Sequence, residues 1–240
     1  NGIPLVTLEL KNPWTGQTAR YHGQKQYRND RDASQPLLQF GRCLVHMAVD
    51  TDEVYMTTKL AGKNTFFLPF NKGHNHGQGN PPNVSLFSNG GHKTAYLWEE
   101  VFTKKSLANI IQHFVRLDGS IKDDLRKCTL FFPRYHQMQV VRKLIDHSAT
   151  NGVGQTYLIQ HSAGSGKSNS ITWAAYQLIE TYPVRADLPG SKGVEQPLFD
   201  SVIVVTDRRL LDKQLRDNIK EFSEVKNIVA PAFKSSELKS

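Results

Sequence analysis

The chain has 240 residues, 38% of them hydrophobic, enough for one large or two small ordinary cores. Its 30 Lys and Arg outnumber 22 Asp and Glu, and the formal charge of +8 steers it toward polyanions such as nucleic acid. No apolar run approaches the roughly 20 residues of a bilayer span, the opening NGIPLVTLEL lacks signal-peptide order, and the two cysteines, Cys43 and Cys128, read as reduced thiols, so an exported, membrane-embedded or disulfide-stapled class is excluded and a cytoplasmic one expected.

In chain order, PLVTLELK alternates, with Val6, Leu8 and Leu10 on one face and Thr7, Glu9 and Lys11 on the other. That pattern predicts a half-buried strand with a polar working face. A polar stretch to Asp32 has helical character, and CLVHMAV, VYMTTKL and TFFLPF then predict an antiparallel meander. Residues 71–93, dense in Gly, Asn and Pro, predict a long exposed loop. From Ser106, a helix is expected with Leu107, Ile110, Ile111, Phe114 and Val115 on one stripe. The charged run around 118–130 marks a domain boundary: 1–120 as a first domain, 121–130 as linker, 131–240 as a second domain.

After Phe131 the grammar changes. A helix with Val140, Val141, Leu144 and Ile145 on one face leads to the strand TYLIQ, then a glycine loop. Next come a helix bearing Ile171, Ala174, Ala175, Leu178 and Ile179, a polar loop over 183–198, the apolar strand SVIVVT, and a helix with Leu211, Leu215, Ile219 and Phe222 in register. Apolar strands alternating with amphipathic helices predict a parallel sheet. The fold class is therefore α/β, a mixed-sheet domain followed by a partial parallel-sheet domain with a phosphate loop. The absence of an initiator Met and the polar close FKSSELKS suggest a piece of a longer protein.

The glycine loop HSAGSGKS carries the strongest chemical signal. Gly164, Ser165, Gly166, Lys167 and Ser168 match the end of GxxxxGK[ST], between a predicted strand and helix, with His161 in place of the first glycine. Glycines let backbone N–H groups turn onto phosphate oxygens, Lys167 offers a charge to the terminal phosphates, and Ser168 offers a hydroxyl to Mg²⁺. Upstream, FPRYHQ sets Arg134 and Gln137 at a helix start, where a Gln presents both a donor and an acceptor to an adenine edge. Downstream, VTDRRLLDKQ puts Arg208 and Arg209 at the sheet's carboxyl edge, either as a ligand-binding position or as a solvated helix start.

Taken in order, FPRYHQ, HSAGSGKSNS and VIVVTDRRLLDKQL resemble the nucleotide-motif region of superfamily 2 helicases. More closely, they resemble the restriction subunit of type I restriction-modification enzymes. LKNPWTGQ, QYRNDRD, YMTTKL and FFLPFNKG are similar to that family's nuclease region, so the resemblance covers nearly the whole chain. It implies a truncated PD-(D/E)xK nuclease followed by the first part of a RecA-like motor, with ATP and Mg²⁺ as cofactors. Double-stranded DNA and the methyltransferase and specificity subunits are the implied partners, and no membrane is involved. It assigns nucleotide binding to Arg134, Gln137, Gly164, Ser165, Gly166, Lys167, Ser168 and Asn169, with Ser168 on the metal.

The same resemblance gives Glu9-Leu10-Lys11 a role. On a strand the two charged side chains project together, and a carboxylate beside a lysine can hold Mg²⁺ and neutralise charge on a scissile phosphate. Alone, an ExK tripeptide is equally a solvent-exposed strand face. The family's second acid has no counterpart before Glu9 here, and its QxxxY pattern is imperfect: Gln24 and Tyr27 stand three apart, whereas Gln17 and Tyr21 have the spacing but lie near the strand end. Gln24 and Tyr27 join Glu9 and Lys11 as the expected catalytic set. His74, His76 and His92 match no zinc spacing and read as loop residues, and Trp14, Trp98 and Trp173 as packing residues. Two rivals remain: a DNA-repair helicase-nuclease with no methylation partner, and a small-molecule P-loop kinase or nucleotide switch in which the ExK strand is structural.

Overall fold

The structure, a computed structural model, describes residues 2–75, 77–83, 91–119 and 124–206. The chain divides into two compact units, Asn1–His136 and Gln137–Ser240.

The first unit is built on a mixed four-stranded sheet in the order β1-β2-β3-β4. Strand β1 (Val6–Leu10) runs parallel to β2 (Val45–Val49), with Thr7 opposite His46 and Glu9 opposite Ala48. Strands β2, β3 (Val54–Thr57) and β4 (Leu68–Pro69) form the expected antiparallel meander, although β4 is only two residues long. Between β1 and β2, a π-helical turn (Ala19–Gly23) runs directly into helix α1 (Gln24–Asn29). Thr18 caps the turn by accepting from the Tyr21 amide, and the Asp50 carboxylate accepts from the Ala19 amide, which ties the helix start to the end of β2. One sheet face packs Ala48 and Tyr55 into a cluster with Ala19, Tyr27, Leu38, Leu60 and Phe67.

Gly23 sets how closely this helical segment lies on the sheet. A Cβ there would stand 2.9 Å from the Ala48 Cβ and 3.6 Å from Lys11 Cγ, so only a residue without a side chain fits this spacing. A second apolar group joins Phe70, Tyr96, Phe132 and Tyr135, with Tyr96 and Tyr135 edge to face at 5.2 Å and the Tyr96 hydroxyl donating to the Phe70 carbonyl at 2.6 Å. Helix α2 (Lys104–His113) buries Ile110, followed by buried Phe114, but leaves Ile111 of the expected stripe exposed. Its cap is Thr103, whose hydroxyl accepts from the Ser106 amide, rather than Ser106 itself. Strands β5 (Arg116–Asp118) and β6 (Thr129–Phe131) pair antiparallel around the charged run.

The faces of β1 are inverted relative to the sequence expectation. Leu8 and Leu10 are 42% and 63% exposed, whereas the side chains of Glu9 and Lys11 are only 12% and 9% exposed. The cause is the helical segment 19–29, which packs over the polar face, while β1, at the sheet edge, leaves its apolar side open. Trp14, expected to pack, is almost fully exposed, whereas Trp173 is buried.

In the second unit, α3 (Tyr135–Asn151), whose first two residues belong to the first unit, and α4 (Lys167–Ile179) form as predicted. The inward face of α4 is set by Trp173 and Tyr176, which bury more area than the alanines of the expected stripe, and Ile171 is left exposed. The expected parallel sheet is not present: among the described residues after Gln137 none lies in a strand, and segments 156–160 and 201–206 run without ladder hydrogen bonds. Leu158, Ile203 and Val205 are exposed accordingly. A continuous apolar run marks a segment for burial, but a strand exists only where a neighbour takes its N–H and C=O groups. The helix expected around Leu211 to Phe222, with Arg208 and Arg209, lies outside the described residues, as does His76.

Candidate active site and nucleotide site

The first unit gathers its polar chemistry where β1 meets α1. Glu9 accepts from Lys11 Nζ at 3.1 Å through Oε1 and from Arg31 at 2.9 Å through Oε2. The Lys11 ammonium also donates to Gln26 Oε1. The strand's period of two brings Glu9 and Lys11 together, and α1 lays Gln26 over them. Arg31 follows the helix on a bend whose amide donates to the Gln26 carbonyl at 3.0 Å. The Glu9 carboxylate raises the Arg31 pKa further by accepting its hydrogen bond, which keeps the guanidinium firmly charged.

Of the other expected residues, Tyr27 is buried one step below. Its hydroxyl lies 2.8 Å from Thr7 Oγ1, which in turn lies 2.7 Å from His46 Nδ1. Burial pushes the Tyr27 phenol up to about 12 and the His46 imidazole down to about 4, so both are neutral across the physiological range. Tyr27 thus ties β1 to α1 from a buried position through Thr7. Gln24 is buried, and it is Gln26, two residues on, that reaches Lys11. Sequence reasoning missed Gln26, Arg31, Thr7 and His46. The alternation of Thr7 with Glu9 was a signal for one of them, while the other three depend on where the helix and β2 fall.

Among the described residues, no group of three His, Cys, Asp or Glu side chains could hold a metal ion. Glu9 is the one carboxylate of this cluster, and both of its oxygens accept from cations, so these residues do not by themselves make up a divalent-cation site.

In the second unit, the loop before α4 is shaped by two glycines. Gly164 and Gly166 adopt left-handed φ values of 72° and 80°, which strain any residue with a Cβ. Gly166 also caps α4 without a side-chain acceptor for the helix's first amides. Lys167 Nζ donates to the carbonyls of His161 and Ser162 at 3.1 and 2.9 Å.

Gln137 is buried against this loop, its Nε2 donating to the carbonyls of Ser165 and Gly166 at 3.1 and 3.0 Å. In planar trans peptides, a carbonyl held to one side turns the following N–H to the other. Gln137 thereby aims the amides of Gly166 and Lys167 away from itself. Arg134 donates to the Pro69 carbonyl at 3.4 Å within the first unit, and burial lowers its pKa. Ser168 and Asn169 form the first turn of α4, with the Asn169 amide donating to the Gly166 carbonyl at 3.1 Å.

Two family models match the chain. The Type I restriction enzyme R protein N terminus covers residues 1–65, which hold the Glu9 cluster, and the Type III restriction enzyme, res subunit covers residues 130–240, which hold the phosphate loop. No curated protein and no solved structure gave a significant match. No helix among the described residues is long and apolar enough to cross a membrane. Carrying a nuclease-side match ahead of a helicase-type match, in the order its motifs resemble, the chain is related to the restriction subunits of type I restriction enzymes.

Proposed function

We propose that this chain supplies the nuclease strand and the first motor elements of an ATP-dependent type I restriction endonuclease, which translocates duplex DNA and cleaves it away from its recognition sequence. The observation that carries the reading is the Glu9–Lys11 pair on one sheltered strand face, in a chain that also carries a left-handed glycine loop ending in Lys167. The partners are double-stranded DNA and the methyltransferase and specificity subunits. Residues 1–120 serve as the nuclease domain and 131–240 as the start of the RecA-like motor domain.

In the nuclease, Glu9 would be one ligand of Mg²⁺, which supplies an activated water and charge neutralisation at the scissile phosphate when bound. Lys11, kept in line by Gln26, faces the developing phosphate charge, and Tyr27 with Thr7 and His46 fixes the strand that carries both. In the motor, the amides of Gly166 and Lys167 receive the ATP phosphates. Lys167 exchanges two neutral carbonyls for anionic oxygens, an electrostatic gain, and Ser168 is placed to meet the accompanying Mg²⁺.

The test uses the subunit assembled with its partners on a circular duplex. Glu9→Gln abolishes cleavage and leaves DNA-stimulated ATP turnover intact, while Lys167→Ala abolishes both. Normal cleavage by Glu9→Gln sinks the reading.

A further inference from the structure

We infer that the exposed turn after β1 is a stacking surface for the unpaired bases of a DNA strand, with Trp14 and Tyr21 as its platforms and Arg20 and Lys25 as its phosphate contacts. The inference rests on the reading of the first unit as a DNA-cutting domain and adds the form in which the DNA is held.

Trp14 is 94% exposed, yet the backbone that displays it is fixed. Asn12 caps the turn Pro13–Thr15, its side-chain oxygen accepting from the Trp14 amide at 3.0 Å and its carbonyl from the Thr15 amide and hydroxyl at 3.1 and 2.8 Å. Gly16 closes the turn at a left-handed φ of 71°, its amide donating to the Pro13 carbonyl at 2.8 Å. A bare indole on such a turn meets a ligand with little backbone left to order. It stands three residues beyond Lys11, so a base stacked on it lies within about 11 Å of chain from the Glu9–Lys11 pair.

The helical segment that follows turns Ala19, Gly23, Gln24 and Tyr27 inward and leaves Arg20, Tyr21 and Lys25 exposed, Tyr21 by 68%. The Arg20 guanidinium lies 5.8 Å from the centre of the Tyr21 ring. Between Glu9 and Asp30 the chain carries Lys11, Arg20, Lys25 and Arg28 and no acid, and that charge selects a polyanion over an apolar protein surface. The aromatics then select its form. A duplex keeps its base faces stacked on one another, whereas an unpaired strand offers them to an indole or a phenol.

The measurement is a titration of the chain with an oligothymidylate and with a duplex of the same length, read by anisotropy for affinity and by indole emission for stacking. Trp14→Ala is expected to weaken single-strand binding about 5- to 150-fold, the worth of one stacked base. Duplex binding, which runs through phosphates, should be unchanged in that variant. Trp14→Phe keeps an aromatic face and should retain most of the single-strand affinity, while losing the emission quenching that the wild type shows. Lys25→Ala should weaken both forms, as a phosphate contact does. Unchanged single-strand affinity in Trp14→Ala, an equal loss on both forms, or a wild type that does not bind the oligothymidylate overturns the inference. The nuclease reading is decided separately, by whether Glu9→Gln still cleaves.

Discussion

At the residue scale, the candidate site works by holding a few charged groups in fixed protonation and orientation. His46 shows the cost of that order. Burial depresses its folded-state pKa to about 4 against 6.5 for an ordinary imidazole, so the unfolded chain takes up a proton between those values that the folded chain refuses. Its contribution to stability is full above pH 6.5 and is lost as pH falls toward 4, and thermal melts across that window should show a steeper loss in the wild type than in His46→Gln. Gln137 makes a comparable contribution at the phosphate loop. Truncation to Ala removes the donor shared by the Ser165 and Gly166 carbonyls and frees the loop to turn, and should weaken ATP binding by about 1–2 kcal/mol, or roughly 5- to 30-fold, in a nucleotide titration. Of these groups, Lys167 was legible from motif spacing, and Glu9, Lys11 and Gln137 only from spacing taken together with the family resemblance. Arg31 and Gln26 were not, because their roles depend on where a short helix stops over a strand, and the imperfect glutamine–tyrosine spacing pointed to Gln24 instead.

At the element scale, the segment 19–29 is the piece that makes a strand into a site. It is held by the Asp50 cap at its start and by the close contact of Gly23 with Ala48. Gly23→Ala should push the segment off the sheet and destabilise the first unit by about 1–3 kcal/mol, measured by denaturant unfolding, since overpacking a close contact carries that cost. Cleavage should fall in the same variant, because Gln26 rides on the displaced helix. The meander and helices α2, α3 and α4 could be read from periodicity, which reports which residues seek burial. The strands expected at 156–160 and 201–206 are absent, because a ladder also requires a neighbour that the period does not name.

At the scale of the whole molecule, an excess of eight positive charges favours duplex DNA through counterion release. Binding measured by anisotropy should weaken steadily with added salt, with the logarithm of affinity linear in the logarithm of salt concentration. An affinity insensitive to salt would contradict a backbone-dominated contact. The order of the two sets of motifs along the chain was legible throughout, whereas the side of β1 that faces inward was not. That inversion has a consequence for folding. Alternating strands are normally kept in register by their greasy side seeking cover, yet a one-residue slip of β1 would hide Leu8 and Leu10 and turn Glu9 and Lys11 outward. Registry here is instead enforced by polar tethers from Thr7 to Tyr27 and His46, and from Glu9 and Lys11 to Arg31 and Gln26. The first strand is thus locally frustrated, trading hydrophobic satisfaction for a reactive surface, and its amides should exchange with deuterium sooner than those of the fully covered β2 beside it.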